Sequence, residues 1–297
     1  MITVRSFEEV RAASSGRIGL VPTMGALHDG HLRLLRTARA ESDTVVVSVF
    51  VNPLQFGPDD DLDRYPRDLA RDQGLAMEAG ADILFAPEVV DMYPTDSHTH
   101  LTISKLTDNF EGAHRPGHFE GVALVVAKLL IGIRPTRAYF GRKDAQQLSV
   151  IRRLAIDLSL PVEIIGVSTV REPDGLALSS RNQFLGPDQR RAATALSRGL
   201  LAAASAVEDG ERHGPHLEEI VAEEAGTEAL LELEYVALAD AATVQPLGEL
   251  TTDAFLAVAA RVGETRLIDN VAFSVDSDTV TVDRGELLSG PSVLEEA

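Results

Sequence analysis

The sequence has no cysteine and only three lysines, Lys105, Lys128 and Lys143. Without cysteine there are no disulfides, no thiolate nucleophile and no zinc–thiolate site, a composition compatible with the cytoplasm. With lysine so scarce, one that falls inside a motif stands out. Long apolar runs are also missing. No stretch reaches the length of a membrane span, and residues 1–11 lack the apolar core of a secretory signal. Positive charge is outweighed, with 27 Lys and Arg against 46 Asp and Glu and a formal net charge of −19. A general nucleic-acid binder needs a basic face, so neither nucleic acid nor membrane is an expected partner. A small anionic substrate would need a local basic pocket inside a repelling field. No G-x-G-x-x-G follows a strand-like run and no G-x-x-x-x-G-K-[ST] occurs, which argues against dinucleotide oxidoreductases and P-loop enzymes. A G-x-S-x-G elbow is absent as well, so an acyl-enzyme is not indicated.

What is present is a chain of 297 residues, 44% hydrophobic, with mean hydropathy of +0.02. That suits one large or two ordinary globular domains. In the first half, strand-like runs at 18–21, 44–51, 82–86, 101–104, 138–140 and 162–167 alternate with helical patterns. The helical patterns lie at 31–41, 64–78, 118–133 and 143–158. The 44–51 run is apolar at nearly every position, as a strand covered on both faces should be. This alternation predicts an α/β fold with a doubly wound parallel sheet and ligands at the carboxyl ends of its strands. A Pro173-Asp-Gly175 turn follows a strand at 168–171, with 176–180 as its return or exit. The character changes near Gly186-Pro187. Helices at 188–207 and 217–224 and strands at 231–239, 255–262 and 267–273 lack strict alternation. We therefore expect a catalytic domain over 1–186, a smaller α+β domain over 187–283 and a loose tail over 284–297.

The chemistry concentrates where strands end. After the 18–21 run come Pro22, Gly25 and then His28-Asp-Gly-His31, at the start of a helix. A helix N-terminus favours anions through its free N–H groups and dipole, two imidazoles add donors, and Gly30 lets the backbone approach closely. Two histidines could equally cap the helix or bind a metal, although i, i+3 spacing without a third ligand is poor for zinc. After the second strand, Asn52 and Gln55 offer amides able to read a hydroxyl or carboxylate; alone, this is an ordinary polar loop. After 138–140, Lys143 falls at a βα turn suited to phosphate, and Asp144 either meets ribose hydroxyls or caps the next helix. Gln147 follows on that helix. Ser179, Ser180 and Arg181 suit a loop that grips terminal phosphates. His98, His100, His213 and His216 read as solvated or satisfied. The acidic run at 59–61 reads as a solvated loop that could also attract Mg²⁺. Attack on the α-phosphorus of ATP needs charge neutralised on the β and γ phosphates without a covalent nucleophile, and this residue set supplies that.

His28-Asp-Gly-His31 resembles the phosphate-binding signature of the HxGH nucleotidylyltransferase superfamily, and Ser179-Ser-Arg181 occupies the place of its mobile second signature. More specifically, Val21-Pro-Thr-Met-Gly-Ala-Leu-His-Asp-Gly-His31 resembles the pantothenate synthetase family. So do Val51-Asn-Pro-Leu-Gln-Phe-Gly57, Tyr65-Pro-Arg67, Arg115-Pro-Gly-His-Phe-Glu-Gly121, Phe140-Gly-Arg-Lys-Asp144, Val170-Arg-Glu-Pro-Asp-Gly175, Ser179-Ser-Arg-Asn182 and Arg266-Leu-Ile-Asp-Asn270. The resemblance runs in order from about residue 2 to about 280.

The resemblance implies a Rossmann-like first domain, a C-terminal domain acting as a lid, and a homodimer. The implied reaction condenses pantoate with β-alanine at the expense of ATP, through a pantoyl adenylate. By the same similarity, His28, His31, Lys143, Ser179, Ser180 and Arg181 would hold the triphosphate and stabilise its charge. Pro22, Thr23, Met24, Gly30, Phe140, Gly141, Asp144, Val170 and Leu178 would complete the ATP site, with Gly141 and Asp144 at the ribose and the backbone near Val170 and Leu178 at the adenine. Met24, Gln55 and Gln147 would hold pantoate, and Asp72 would lie near Mg²⁺. Arg142, Ala145, Leu124 and Leu178 depart from the family pattern, and 65–72 has fewer acidic residues in its middle. The alternatives are a nucleotidylyltransferase acting on another small substrate, and a noncatalytic nucleotide sensor.

Overall fold

The run Thr44–Val49 is buried at five of its six positions. Only a strand with sheet neighbours on both sides and cover on both faces buries consecutive residues in this way. The computed structural model describes residues 1–58, 62–277 and 279–294. The acidic run at 59–61 and the last three tail positions lie outside the described residues. The chain divides into two units, Met1–Gly141 with Val150–Val167 and Arg142–Ser149 with Ser168–Ala297.

The first unit begins with β1 (Ile2–Val4) and α1 (Phe7–Ala13), which starts at a reciprocal cap between Ser6 and Glu9. There follow β2 (Ile18–Thr23), α2 (Asp29–Glu41), β3 (Thr44–Val49), α3 (Leu69–Glu78), β4 (Ile83–Phe85), the short α4 (Val89–Met92) and α5 (Glu111–His114), α6 (His118–Ile133) and β5 (Arg137–Gly141). After α7 (Ala145–Asp157) comes β6 (Glu163–Val167). The strands form one sheet in the order β1-β4-β3-β2-β5-β6, with every pairing parallel. From β2 the chain winds one way to β3 and later the other way to β5. The carboxyl ends of β2 and β5 therefore flank the switch point, where such sheets bind ligands. In α6, an added Cβ at Gly121 would lie 2.3 Å from the carbonyl oxygen of Leu54. Only glycine lets this helix meet the loop after β3 backbone to backbone.

The second unit contains β7 (Val170–Arg171), α8 (Pro187–Glu208), α9 (Gly214–Gly226), β8 (Leu231–Asp240), β9 (Ala254–Val262), β10 (Thr265–Asp276), β11 (Thr279–Asp283) and β12 (Glu286–Leu287). Strands β8 to β11 form an antiparallel sheet ordered β11-β10-β9-β8. Leu196, Leu200 and Val221 from the helices share its core with Leu238, Leu256 and Phe273. No helix among the described residues is long and apolar enough to cross a membrane.

Three local expectations differ from the structure. Residues 101–104 are irregular, because the run is short and Lys105, at φ +71°, turns the chain. Gly186-Pro187 marks the start of α8, and residues 168–185, expected in the first domain, belong to the second unit together with Arg142–Ser149. Residues 168–185 join the later strands through long-range contacts that composition cannot reveal. Chief among them is Arg171, only 1% exposed, whose guanidinium donates to both oxygens of Asp269 (2.6 and 3.1 Å) and to the carbonyls of Asn270 and Arg284. Within the stretch read as a loose tail, β12 pairs in parallel with β7. Its partner lies more than a hundred residues upstream, so local periodicity carries no trace of it.

Asp269→Ala would strand the Arg171 charge in the interior and should destabilise the protein by about 3–5 kcal/mol in urea unfolding. The double variant Arg171→Met/Asp269→Leu should recover most of that loss.

Candidate active site

Strand β2 ends at Thr23, whose hydroxyl donates to the Ser48 carbonyl (2.7 Å) and accepts from the N–H of Gly25 (3.2 Å). The chain then turns through two consecutive residues of positive φ, Gly25 at +84° and Ala26 at +50°. The N–H groups of Ala26 and Leu27 donate to the two carboxylate oxygens of Asp72, at 3.0 and 2.7 Å. Asp72 is 1% exposed. Burial pushes its carboxyl above the ordinary range, opposed by these two amide bonds. Asp72 therefore faces peptide N–H groups with both of its oxygens. Among the described residues, no group of three or more His, Asp or Glu side chains is arranged to hold a metal ion.

His28 is the N-cap of α2. Its Nδ1 accepts from the N–H of Gly30 (3.2 Å), while its own N–H donates to Nδ1 of His31 (3.4 Å). The rings lie with centroids 4.1 Å apart and planes tilted by 34°. An Nδ1 that accepts carries no proton, so each neutral imidazole holds its hydrogen on Nε2 and is a donor there. Capping and anion binding were open alternatives in the sequence. The geometry gives one nitrogen of each ring a capping role.

Gln55 and Met24 are brought together, with the Gln55 amide Nε2 donating to the Met24 sulfur at 3.0 Å. The orientation of that amide is fixed from behind. Asn52 accepts at Oδ1 from the N–H of Leu54 (3.2 Å) and donates from Nδ2 to the carbonyl of Gly121 (3.0 Å). A peptide N–H only donates and a peptide carbonyl only accepts, so the Asn52 amide has one allowed orientation. Its Nδ2 then also donates to Gln55 Oε1 (3.0 Å), which leaves Gln55 presenting N–H donors. Asn52, which alone reads as an ordinary loop residue, is a buried anchor. Tyr93, unnoticed in the sequence, completes it by donating its hydroxyl to Asn52 Oδ1 (2.9 Å). The Gln55 carbonyl accepts from Nδ1 of His118 (2.9 Å), and Arg115 reaches both that carbonyl and His118 Nε2. No local pattern marks Tyr93, and the motif that opens with Arg115 does not reveal its contact with Gln55, because these partners lie far away in the chain.

The remaining assigned residues divide between the units. Pro22 and Thr23 belong to β2, Gly30 to the first turn of α2, and Phe140 and Gly141 close β5. In the second unit, Lys143 and Asp144 lie in a short 3-10 turn, Arg142–Asp144. Asn270 secures that turn by donating from Nδ2 to the carbonyls of Arg142 (2.9 Å) and Lys143 (2.7 Å). Gln147 is half-buried on α7. Leu178 donates its N–H to the Val170 carbonyl (2.9 Å), so these two backbones are adjacent. Ser179 caps the turn Ser180–Phe184, accepting from the N–H of Arg181 at 3.3 Å.

Burial raises the Tyr93 phenol above its ordinary value of 10.0. The native state therefore keeps this proton longer than the unfolded chain. The resulting stability is complete below pH 10.0 and is lost as the pH climbs toward the folded-state value. Tyr93→Phe should flatten the alkaline decline of stability, measured by urea unfolding across that range. At neutral pH it should cost about 1 kcal/mol through the lost bond to Asn52.

The family model described as pantoate–β-alanine ligase matches residues 2–272. A pantothenate synthetase of Heliobacterium modesticaldum is 50% identical over 281 residues, covering 93% of this chain and all of the relative. One from Roseiflexus castenholzii is 52% identical over 268 residues, 90% of this chain and 96% of the relative. The crystal structure of the Thermus thermophilus pantothenate synthetase superposes with a TM-score of 0.87 at 50% identity, over 91% of this chain and 98% of that one. A Francisella tularensis pantoate–β-alanine ligase, solved in complex with β-γ ATP and β-alanine, gives a TM-score of 0.71 at 33% identity over 91% and 97% of the two chains. Matched from one unit through most of the other, the chain belongs to the pantoate–β-alanine ligase family.

Proposed function

We propose that this enzyme activates pantoate with ATP and passes the pantoyl group to β-alanine, releasing AMP and pyrophosphate. The observation that carries the reading lies in the turn between β2 and α2. At one end of that turn Met24 meets the donor amide of Gln55, and at the other the paired imidazoles of His28 and His31 present N–H donors. A small acid and a phosphate chain are thus served by one short segment.

The pantoate carboxylate attacks the α-phosphorus in line, and the bond to the bridging oxygen breaks as pyrophosphate leaves. Charge grows on the departing phosphates. Here His28, His31, Lys143, Ser179, Ser180 and Arg181 supply hydrogen bonds and positive charge, the kind of stabilisation worth several kcal/mol at a transition state. Gly141 and Asp144 hold the ribose, and the backbone at Val170 and Leu178 the adenine. Met24, Gln55 and Gln147 position the acid so that its carboxylate is already near the attack distance. The β-alanine amine then adds to the acyl carbon, and the tetrahedral intermediate collapses with expulsion of AMP. Magnesium enters as part of the ATP substrate. A homodimeric state and a cytoplasmic location belong to the same reading and rest on the resemblance to the family.

Pantoate should support exchange of labelled pyrophosphate into ATP with no β-alanine present. Absence of exchange in folded protein would overturn the adenylation step. His28→Ala and Lys143→Ala should each lower the exchange kcat by about two orders of magnitude or more. Losses below about threefold in both would refute their assigned roles.

A further inference from the structure

The turn that carries His28 is clamped by two neighbouring residues of α3. The Leu27 peptide donates its N–H to Asp72 (2.7 Å), and its carbonyl accepts from the guanidinium of Arg71 (2.9 Å). Asp72 takes the N–H of Ala26 as well (3.0 Å). In this turn, which passes through positive φ at Gly25 and Ala26, two successive N–H groups converge on one acceptor, a concavity of the kind that binds anions. In this protein a side-chain carboxylate already fills it. The fit is close, since a Cβ added at Gly25 would lie 2.8 Å from Asp72 Oδ2. Ala26 sits in a conformation that non-glycine residues rarely adopt and that persists only where the surroundings impose it.

We propose that Asp72 is a positioning residue and not a ligand of magnesium. It acts as a built-in anion that, together with Arg71, fixes Leu27 so that His28 enters α2 in register to pair with His31. The residues present do not fit a metal role for Asp72. Its carboxylate is sealed from solvent, and each oxygen is committed to a peptide N–H. The proposal rests on the reading of His28 and His31 as the phosphate-binding pair. It adds that their geometry is set from α3, which no motif joins to the His-x-Gly-His sequence.

The experiment compares Asp72→Asn and Arg71→Met with the parent enzyme in pantoate-dependent pyrophosphate exchange at graded Mg²⁺. Asp72→Asn keeps the shape but turns an NH₂ group toward one of the two peptide N–H groups. Its kcat should fall about ten- to hundredfold, as expected when a catalytic group is misplaced by an ångström or less. The Mg²⁺ concentration for half-maximal rate should stay within about twofold of the parent, and excess Mg²⁺ should not restore the rate. Arg71→Met leaves the carboxylate in place and should lower kcat in the same direction with the same Mg²⁺ dependence. Histidine ¹⁵N spectra should show the Nε2–H form for His28 and His31 in the parent and loss of that pattern in Asp72→Asn. A raised Mg²⁺ requirement with recovery at high Mg²⁺, or an unchanged kcat in Asp72→Asn, would overturn the proposal. Should Asp72→Asn fail to fold, an unchanged kcat in Arg71→Met would overturn it instead. Full exchange activity in His28→Ala would sink the phosphate-site reading, and the histidine spectra would then still decide whether the clamp sets the pair.

Discussion

A turn that leaves the end of a parallel strand has no sheet to satisfy its peptide groups, and buried N–H groups left unpaired are costly. The β2–α2 turn answers this constraint with side chains at five of its N–H groups. Gly25 donates to Thr23, Ala26 and Leu27 to Asp72, His28 to His31, and Gly30 to His28. The acceptors are thus four side chains, Thr23, Asp72, His31 and His28. Under the proposed function, building the turn and building the phosphate site are a single problem. Both histidines serve the backbone through Nδ1, which leaves Nε2 as the nitrogen that carries the proton in a neutral ring.

The second unit meets an analogous demand by different means. Its assigned loops bury Val170, Leu176 and Leu178 and are held as well by a polar interior. Arg171 gathers Asp269 and the carbonyls of Asn270 and Arg284, and Asn270 in turn secures the turn containing Lys143. Nearby, the Glu172 carboxylate accepts from Asn182 and from Arg190. Buried ionic groups of this kind contribute little net stability, yet they specify one arrangement, because any alternative strands a charge.

The alternation of strand and helix and the buried character of Thr44–Val49 were legible in the sequence because they depend on neighbours within a few residues. So were α6, which spans His118–Ile133 as its periodicity predicts, and the His-x-Gly-His junction. What escaped depends on distant partners. The strands β1 and β12 are two or three residues long and exist through pairing with β4 and β7. Asn52 looked like any loop amide until Gly121, 69 residues away, supplied its carbonyl. Asp72 could be placed near the site by resemblance, but not its task, which depends on amides 45 and 46 residues before it. Its own helix gives no hint of them.

The two groups that orient Asn52 are a peptide N–H and a peptide carbonyl, contributed by Leu54 and Gly121. Side-chain substitutions cannot change the polarity of either one. As sequences drift, packing around this pocket can be redrawn, but its donor character at Gln55 is inherited through the main chain. The position most exposed to drift is Gly121, where a single methyl group would push the two backbones apart. The orientation of the Gln55 amide is thus protected less by Gln55 itself than by a hydrogen atom on a helix.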